Sequence, residues 1–361
     1  MALQSKGMTD TGGWGRLLLR LPLLLLAVSS CSDEKGRRSP YEVWLHYDYM
    51  VAAGHSHAPS PAAIQLVVDA FARHGVSLHI DPSHNAIPEH QVIVLDVPGS
   101  LYTSLDPNFA GPDAVAFTAL KAQYFQPPLT LRSPPAEGWH YAIFGHFVTT
   151  DNATHAASYP APQPDPQATG LAALPGTDFV VAMANLDHAG WLEIETFNPL
   201  PGTTAPDYAV ACTFMHELGH NLGLRHGGDV TAPNWKPNYV SVMNYAYGGL
   251  GQPILTYSST TPSGFSYRID YSDEALPSIN EMSLDESVGI QSAHPSDVIL
   301  WWIPGPSQLL GPASGPLDWN GDGDNVDASL MIDVTNDGTM TFLTGFDDWA
   351  YIRQRLASLM R

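Results

Sequence analysis

Cysteine is nearly absent, with two residues in 361, Cys31 and Cys212. That excludes a disulfide framework, although an exported protein could have used one. Basic residues are scarce as well: 15 Lys and Arg stand against 36 Asp and Glu, a formal net charge of −21. No basic patch is available to meet phosphates, which argues against nucleic-acid binding. An acidic excess favours solubility, cationic substrates or bound calcium. Long apolar runs are missing too. No stretch beyond the N-terminus approaches the ~18 apolar residues of a membrane-spanning helix, and no repeat of solenoid length is evident. What is present is an ordinary globular composition, 44% hydrophobic and 14% charged, enough for one large domain or two modest ones.

The most informative stretch is His216-Glu217-Leu218-Gly219-His220-Asn221-Leu222-Gly223-Leu224-Arg225-His226. His216 and His220 are four apart, so on a helix they project from one face and both reach one metal ion. Glu217 follows the first of them and is free to point at a water rather than at the metal. Gly223 tolerates a left-handed conformation, so the helix stops there and the chain turns back. That turn brings His226 round as a third ligand. Three protein ligands leave a fourth zinc position open, the catalytic rather than the closed structural pattern.

Downstream lies Ser241-Val242-Met243-Asn244-Tyr245. The long histidine motif followed by a Met-containing turn resembles the metzincin clan of zinc endopeptidases, in a bacterial secreted or lipoprotein form. The resemblance implies His216, His220 and His226 as zinc ligands and Glu217 as catalytic acid/base. It implies Met243 beneath the metal, and Tyr245 near the zinc or the reacting carbonyl oxygen. It also implies a peptide or protein substrate, bound as an extended strand along an exposed antiparallel edge strand just before the zinc helix. Here that strand would be residues 178–185.

The N-terminus reads as a targeting segment. Lys6, Arg16 and Arg20 precede a short apolar run at 21–28, and Val28-Ser29-Ser30 precede Cys31. Small residues before a cysteine resemble the lipobox of bacterial lipoproteins, in which Cys31 is lipidated. The alternative is ordinary signal cleavage with an incidental cysteine. The expectation is therefore an exported protein, secreted or held at a membrane only through a lipid anchor. Residues 1–30 are the signal peptide and 31–40 a polar tether. Residues 41–303 form the metzincin-like catalytic domain, and 304–361 a C-terminal segment. Cys212, four residues before His216, reads as a small buried hydrophobe.

Along the chain, 41–47, 76–80, 91–97, 139–149 and 179–184 read as strands. A helix starts at Ser60-Pro61 with Ile64, Val67, Val68 and Phe71 on its core face. A second helix is expected at 113–124, and the zinc helix from about Asp207. Residues 156–178, rich in Pro and Ala, read as a surface loop. The fold class is α+β, with a twisted, mostly parallel sheet.

Two further clusters carry chemistry. Asp318, Asn320, Asp322 and Asp324 alternate, with Gly323 in the sixth position, like the front half of a calcium loop. Ser329 stands where the bidentate Glu belongs, with Asp327 as a substitute. A second fragment, 333–338, repeats the theme. Either calcium binds here and docks a final helix at 347–360 through Trp349, Ile352 and Leu356, or these are Asx-turns without metal. His55 and His57 alternate, with His84 and His90 nearby. In a chain of 15 histidines they read as coincidence rather than as a second metal site. Two other functional classes stay open: a catalytically silent surface binding or adhesion protein on a protease fold, and a calcium-dependent structural module.

Overall fold

A computed structural model describes residues 41–96, 114–126, 138–149, 168–184, 202–247, 253–259, 264–304 and 307–359. The expected signal peptide, Cys31 and the tether lie outside these residues, as do loop residues 156–167.

The first strand, β1 (Tyr41–Ala52), is the longest. It is long enough to pair with two short strands in succession along one edge. β3 (Val76–Ile80) runs parallel to its first half, from Tyr41↔Val76 to Leu45↔Ile80. β4 (Ala86–Pro88) is parallel to its second half, and β2 (His55–Ser56) folds back antiparallel at its end. On the other edge β1 pairs in parallel with β7 (Trp139–Gly145), and β7 with β10 (Asp178–Ala182). β9 (Gly170–Ala172) closes this side, antiparallel to β10. The sheet is therefore mostly parallel, and β10 is buried along its whole length as an interior strand of such a sheet must be. A smaller parallel sheet places β5 (Val92–Val94) between β6 (Ala114–Ala116) and β8 (Phe147–Thr149).

The edge strand expected at 178–185 is thus an interior strand. The antiparallel edge is β9, which lies within the stretch read as loop. Three residues, Gly-Leu-Ala, carry no alternation, so only pairing with β10 makes them a strand. Among the described residues, no strand pairs with the outer edge of β9.

Helix α1 (Pro61–Arg73) starts as its sequence dictates. Ser60 Oγ accepts from Ala63 N at 3.0 Å, and proline occupies the first turn. Val67 and Phe71 are fully buried, worth about 1.5–3 kcal/mol each. Helix α2 (Phe117–Tyr124) begins later than residue 113, because 114–116 pair with β5 as β6.

Helix α3 (Ala205–Asn221) opens with a capping box between Thr204 and Asp207. Every residue from Asp207 to Asn221 is buried. Such a helix needs no apolar stripe, since it faces protein on all sides. Phe214 stacks on Phe144 of β7 (centroids 5.6 Å apart) and lies 5.5 Å from Phe179 of β10, locking α3 to the sheet. Cys212 is fully buried, as a small hydrophobe would be, and burial pushes its thiol pKa up.

The rest of the described chain is short antiparallel pairs. β11 (Ile254–Tyr257) pairs with β12 (Phe265–Arg268). β13 (Ile279–Asn280) pairs with β18 (Phe342–Leu343), and β14 (Leu284–Asp285) with β17 (Ala328–Leu330). β15 (Val298–Ile303) pairs with β16 (Ser307–Pro312). Helix α4 (Asp348–Leu359) buries Trp349, Ile352 and Leu356. Trp349 lies 5.1 Å from both Phe71 and Tyr271 and stacks on His74 at 4.5 Å. The C-terminal segment therefore supplies a helix and strands to the same core as α1. No helix among the described residues is long and apolar enough to cross a membrane.

Candidate active site

The C-terminal end of α3 shapes the site. Gly223 has φ +94°, a conformation that costs glycine nothing. Its N–H bonds His220 O at 2.9 Å, and Leu224 N bonds Gly219 O at 2.9 Å. These two bonds form a Schellman motif, which reverses the chain within one turn. The reversal places Leu224 O at 2.9 Å from His220 Nδ1 and carries His226 back to the helix. His216 Nδ1 likewise lies 2.7 Å from Val242 O.

A carbonyl can only accept, so both Nδ1 atoms donate. In the neutral rings both Nε2 atoms are then bare lone pairs. They lie 3.1 Å apart, and His220 Nε2 lies 2.9 Å from His226 Nε2. Burial and neighbouring positive charges hold His216 well below its usual pKa. Burial likewise brings His220 to about 4 and His226 to about 3. Lone pairs that face one another at this distance repel, and a cation among them turns the repulsion into coordination. Three converging imidazoles, two of them with the far nitrogen locked by a backbone carbonyl, fit a zinc-type ion.

Glu217 is buried beside these ligands, and its Oε2 makes no hydrogen bond. Burial alone pushes its carboxyl well above the usual range, while a dication nearby acts in the opposite direction. Gly170 of the edge strand β9 packs directly on it. A Cβ built at Gly170 would sit 2.6 Å from both Cγ and Oε1 of Glu217. The free sheet edge and the carboxylate are therefore adjacent.

Met243 packs under α3. A Cβ at Gly219 would collide with its Sδ and come within 3.0 Å of Tyr271 Cε1. The turn carrying Met243 is tightly held. Asn244 Nδ2 donates to Lys236 O and Tyr239 O, both at 2.8 Å, and Val242 N bonds Asp270 O at 3.0 Å. The half-buried Tyr245 ring lies 4.2 Å from His226 and 5.8 Å from His216.

No family model matches this chain, and no curated protein matches it. The crystal structure of archaemetzincin from Methanopyrus kandleri matches 59% of this chain and 86% of its own, at 14% identity and TM-score 0.31. That degree of likeness carries no functional argument, which rests on the site itself.

Several supporting residues gave no signal in the sequence. Asp348 of α4 is fully buried and accepts from Tyr239 OH at 2.8 Å and Ser241 Oγ at 2.6 Å. It also accepts from Ser272 N at 3.1 Å, tying α4 to the Met243 turn. Burial raises its pKa to about 7. Asn221, the last residue of α3, donates to Ala173 O at 2.9 Å and Asp178 O at 3.0 Å. It therefore anchors the link between β9 and β10. A lone Asp or Asn has no local pattern that announces such long-range partners.

The calcium reading is not supported. Of Asp318, Asp322 and Asp324, only Asp324 joins a group of mutually close carboxylates, and its companions are Glu286 and Asp327. The oxygens of the expected ligands accept backbone N–H instead. Asp318 accepts from Gly321 and Gly323 at 2.6 and 2.9 Å, Asn320 from Asp322 at 2.9 Å, and Asp322 from Asp324 at 3.1 Å. These are Asx-turns. Two buried glutamates organise the loops. Glu286 accepts from Trp319 N and Asp327 N, and Glu281 from Val334 N and Thr341 N. Helix α4 is anchored by Asp348 and Trp349.

Proposed function

We propose that this chain is a zinc-dependent endopeptidase. The observation that carries the reading is the convergence of the His216, His220 and His226 Nε2 atoms beside Glu217, whose buried Oε2 makes no hydrogen bond. His216, His220 and His226 would hold the ion. Zinc at such a site acidifies water and polarises a carbonyl. Glu217 takes the proton from the attacking water and delivers it to the leaving amine. Among the described residues no strand covers the outer edge of β9, and an extended peptide would add there as a further strand. Because Gly170 of that strand touches Glu217, a peptide aligned there is aligned on the base. Tyr245, whose ring lies 4.2 Å from that of His226, would donate to the oxyanion. Met243 takes no chemical part. It packs under α3 at Gly219.

Glu217→Gln is the test. An amide cannot accept the water's proton, whereas the three imidazoles are untouched. Bound zinc should stay at the wild-type level while peptide cleavage falls by at least about 10²–10⁴-fold. Wild-type turnover by this variant rejects the mechanism.

A further inference from the structure

We propose a second, structural metal site built from His55, His57, Glu89 and His146, on elements that contribute no ligand to the His216 centre. His55 and His57 stand two apart on β2 and its continuation, so both face the same side. The fold brings two distant residues to them. Glu89 follows β4, and its N–H bonds Val51 O at 3.0 Å. His146 joins β7 to β8, and its carbonyl accepts from Ala184 N at 3.1 Å. The four side chains thus hang on a hydrogen-bonded backbone frame.

His57 Nε2 lies 2.8 Å from His55 Nε2 and 3.2 Å from His146 Nδ1. The Glu89 carboxylate lies 3.4 Å from His146 Nδ1, 3.7 Å from His55 Nε2 and 3.9 Å from His57 Nε2. Ligands of a tetrahedral ion bound at ~2.0–2.1 Å are about 3.4 Å apart. The five distances bracket that value, and all four donors lie within 4.8 Å of one another.

A metal-free hydrogen-bond network accounts for them less well. One ring nitrogen of His57 meets two other ring nitrogens, and it cannot form a linear hydrogen bond to each. The carboxylate stands beside all three rings, yet its Oε2 is buried without a hydrogen bond. A cation at the centre would be coordinated by all four groups at once, the Glu89 carboxylate included. Three imidazoles and one carboxylate suit zinc, and four protein ligands leave no open position, so the ion has a structural role. It would clamp the β1–β2 hairpin, the segment after β4 and the β7–β8 junction together, joining the large sheet to the small one.

The test is metal analysis of the full chain after gel filtration in metal-depleted buffer. Wild type is expected to retain two zinc ions per chain. His216→Ala/His220→Ala should retain one, and its cobalt-substituted form should show the intense visible bands of a four-coordinate site. Adding His57→Ala/His146→Ala should remove that ion as well. A folded His216→Ala/His220→Ala protein that holds no metal overturns the proposal. If that variant does not fold, the wild-type count decides: two ions support the second site and one overturns it. None of these readouts depends on peptidase activity, so the second site stands or falls separately from the proposed function.

Discussion

Gly227 follows the third histidine, and its replacement tests how the site is held. A Cβ built there would lie 2.5 Å from Pro233 O and 2.7 Å from Ala232 C, and closer still to Ala232 O. These are backbone atoms and cannot swing aside. The opposing loop is itself pinned, because Asp229 Oδ1 accepts from Thr231 N at 2.8 Å and Ala232 N at 3.0 Å. In Gly227→Ala one of the two strands of chain must move, and the nearest exit shifts His226 from its 2.9 Å approach to His220. Overpacking of this kind costs about 1–3 kcal/mol. The entropy that alanine removes from the unfolded chain returns about 0.4–1 kcal/mol, so the clash prevails. For a large domain each kcal/mol is worth about 2–4 °C, so a net cost of up to about 2.6 kcal/mol lowers the melting temperature by up to about 10 °C in the metal-free protein. Displacing His226 also weakens zinc binding. Each tenfold loss of affinity removes a further ~1.4 kcal/mol of zinc-linked stability. The assay is calorimetry with and without zinc, together with zinc affinity measured against a competing chelator. Gly202→Ala is the control, since its Cβ would meet nothing within 4 Å and only its φ of +87° is strained. It should lose stability without losing zinc affinity. A Gly227→Ala protein with wild-type melting and zinc affinity would refute the close approach as the device that holds His226.

Gly170→Ala should retain zinc but lose about 10²-fold in kcat/KM, because its methyl group displaces Glu217. Full activity in that variant would show that β9 does not set the position of the base. Asp348 predicts a pH effect. Its folded pKa is raised to about 7 from an ordinary 3.8, so the folded state keeps a proton that the unfolded chain has lost, and stability falls as pH rises between those values. Asp348→Asn should therefore gain on wild type in urea midpoint between pH 5 and pH 8, and a constant difference would contradict this. Glu286→Ala should cost about 3 kcal/mol, since a fully buried carboxylate that accepts from Trp319 N and Asp327 N is lost. The exposed Asp322→Ala should cost no more than about 0.5 kcal/mol. Equal shifts in their unfolding midpoints would show that Glu286 does not organise the loops.

Whatever is local could be read from the residues alone. Ser60 and Pro61 start α1 because a cap and a fixed φ act within one turn. The spacing of His216, His220, Gly223 and His226 needs only helix geometry and one left-handed residue. The stripe of Trp349, Ile352 and Leu356 needs only the helical period. Pairing between distant segments was not legible, because a strand is defined by its partner. Gly170-Leu171-Ala172 becomes the sheet edge only against β10, and that pairing moves 178–182 from the edge to the interior. Asp318 to Asp324 look like a calcium loop in one dimension; in the fold their oxygens accept the loop's own backbone N–H groups, and Glu286 accepts from Trp319 N and Asp327 N on either side. His55 and His57 looked incidental because Glu89 and His146 lie 32 and 89 residues beyond His57. The sequence by itself determined the chemistry that one helix and its turn can assemble. The tertiary structure decided which strand borders Glu217, what holds the Met243 turn, and that four remote donors meet, since each depends on contacts that no local spacing encodes.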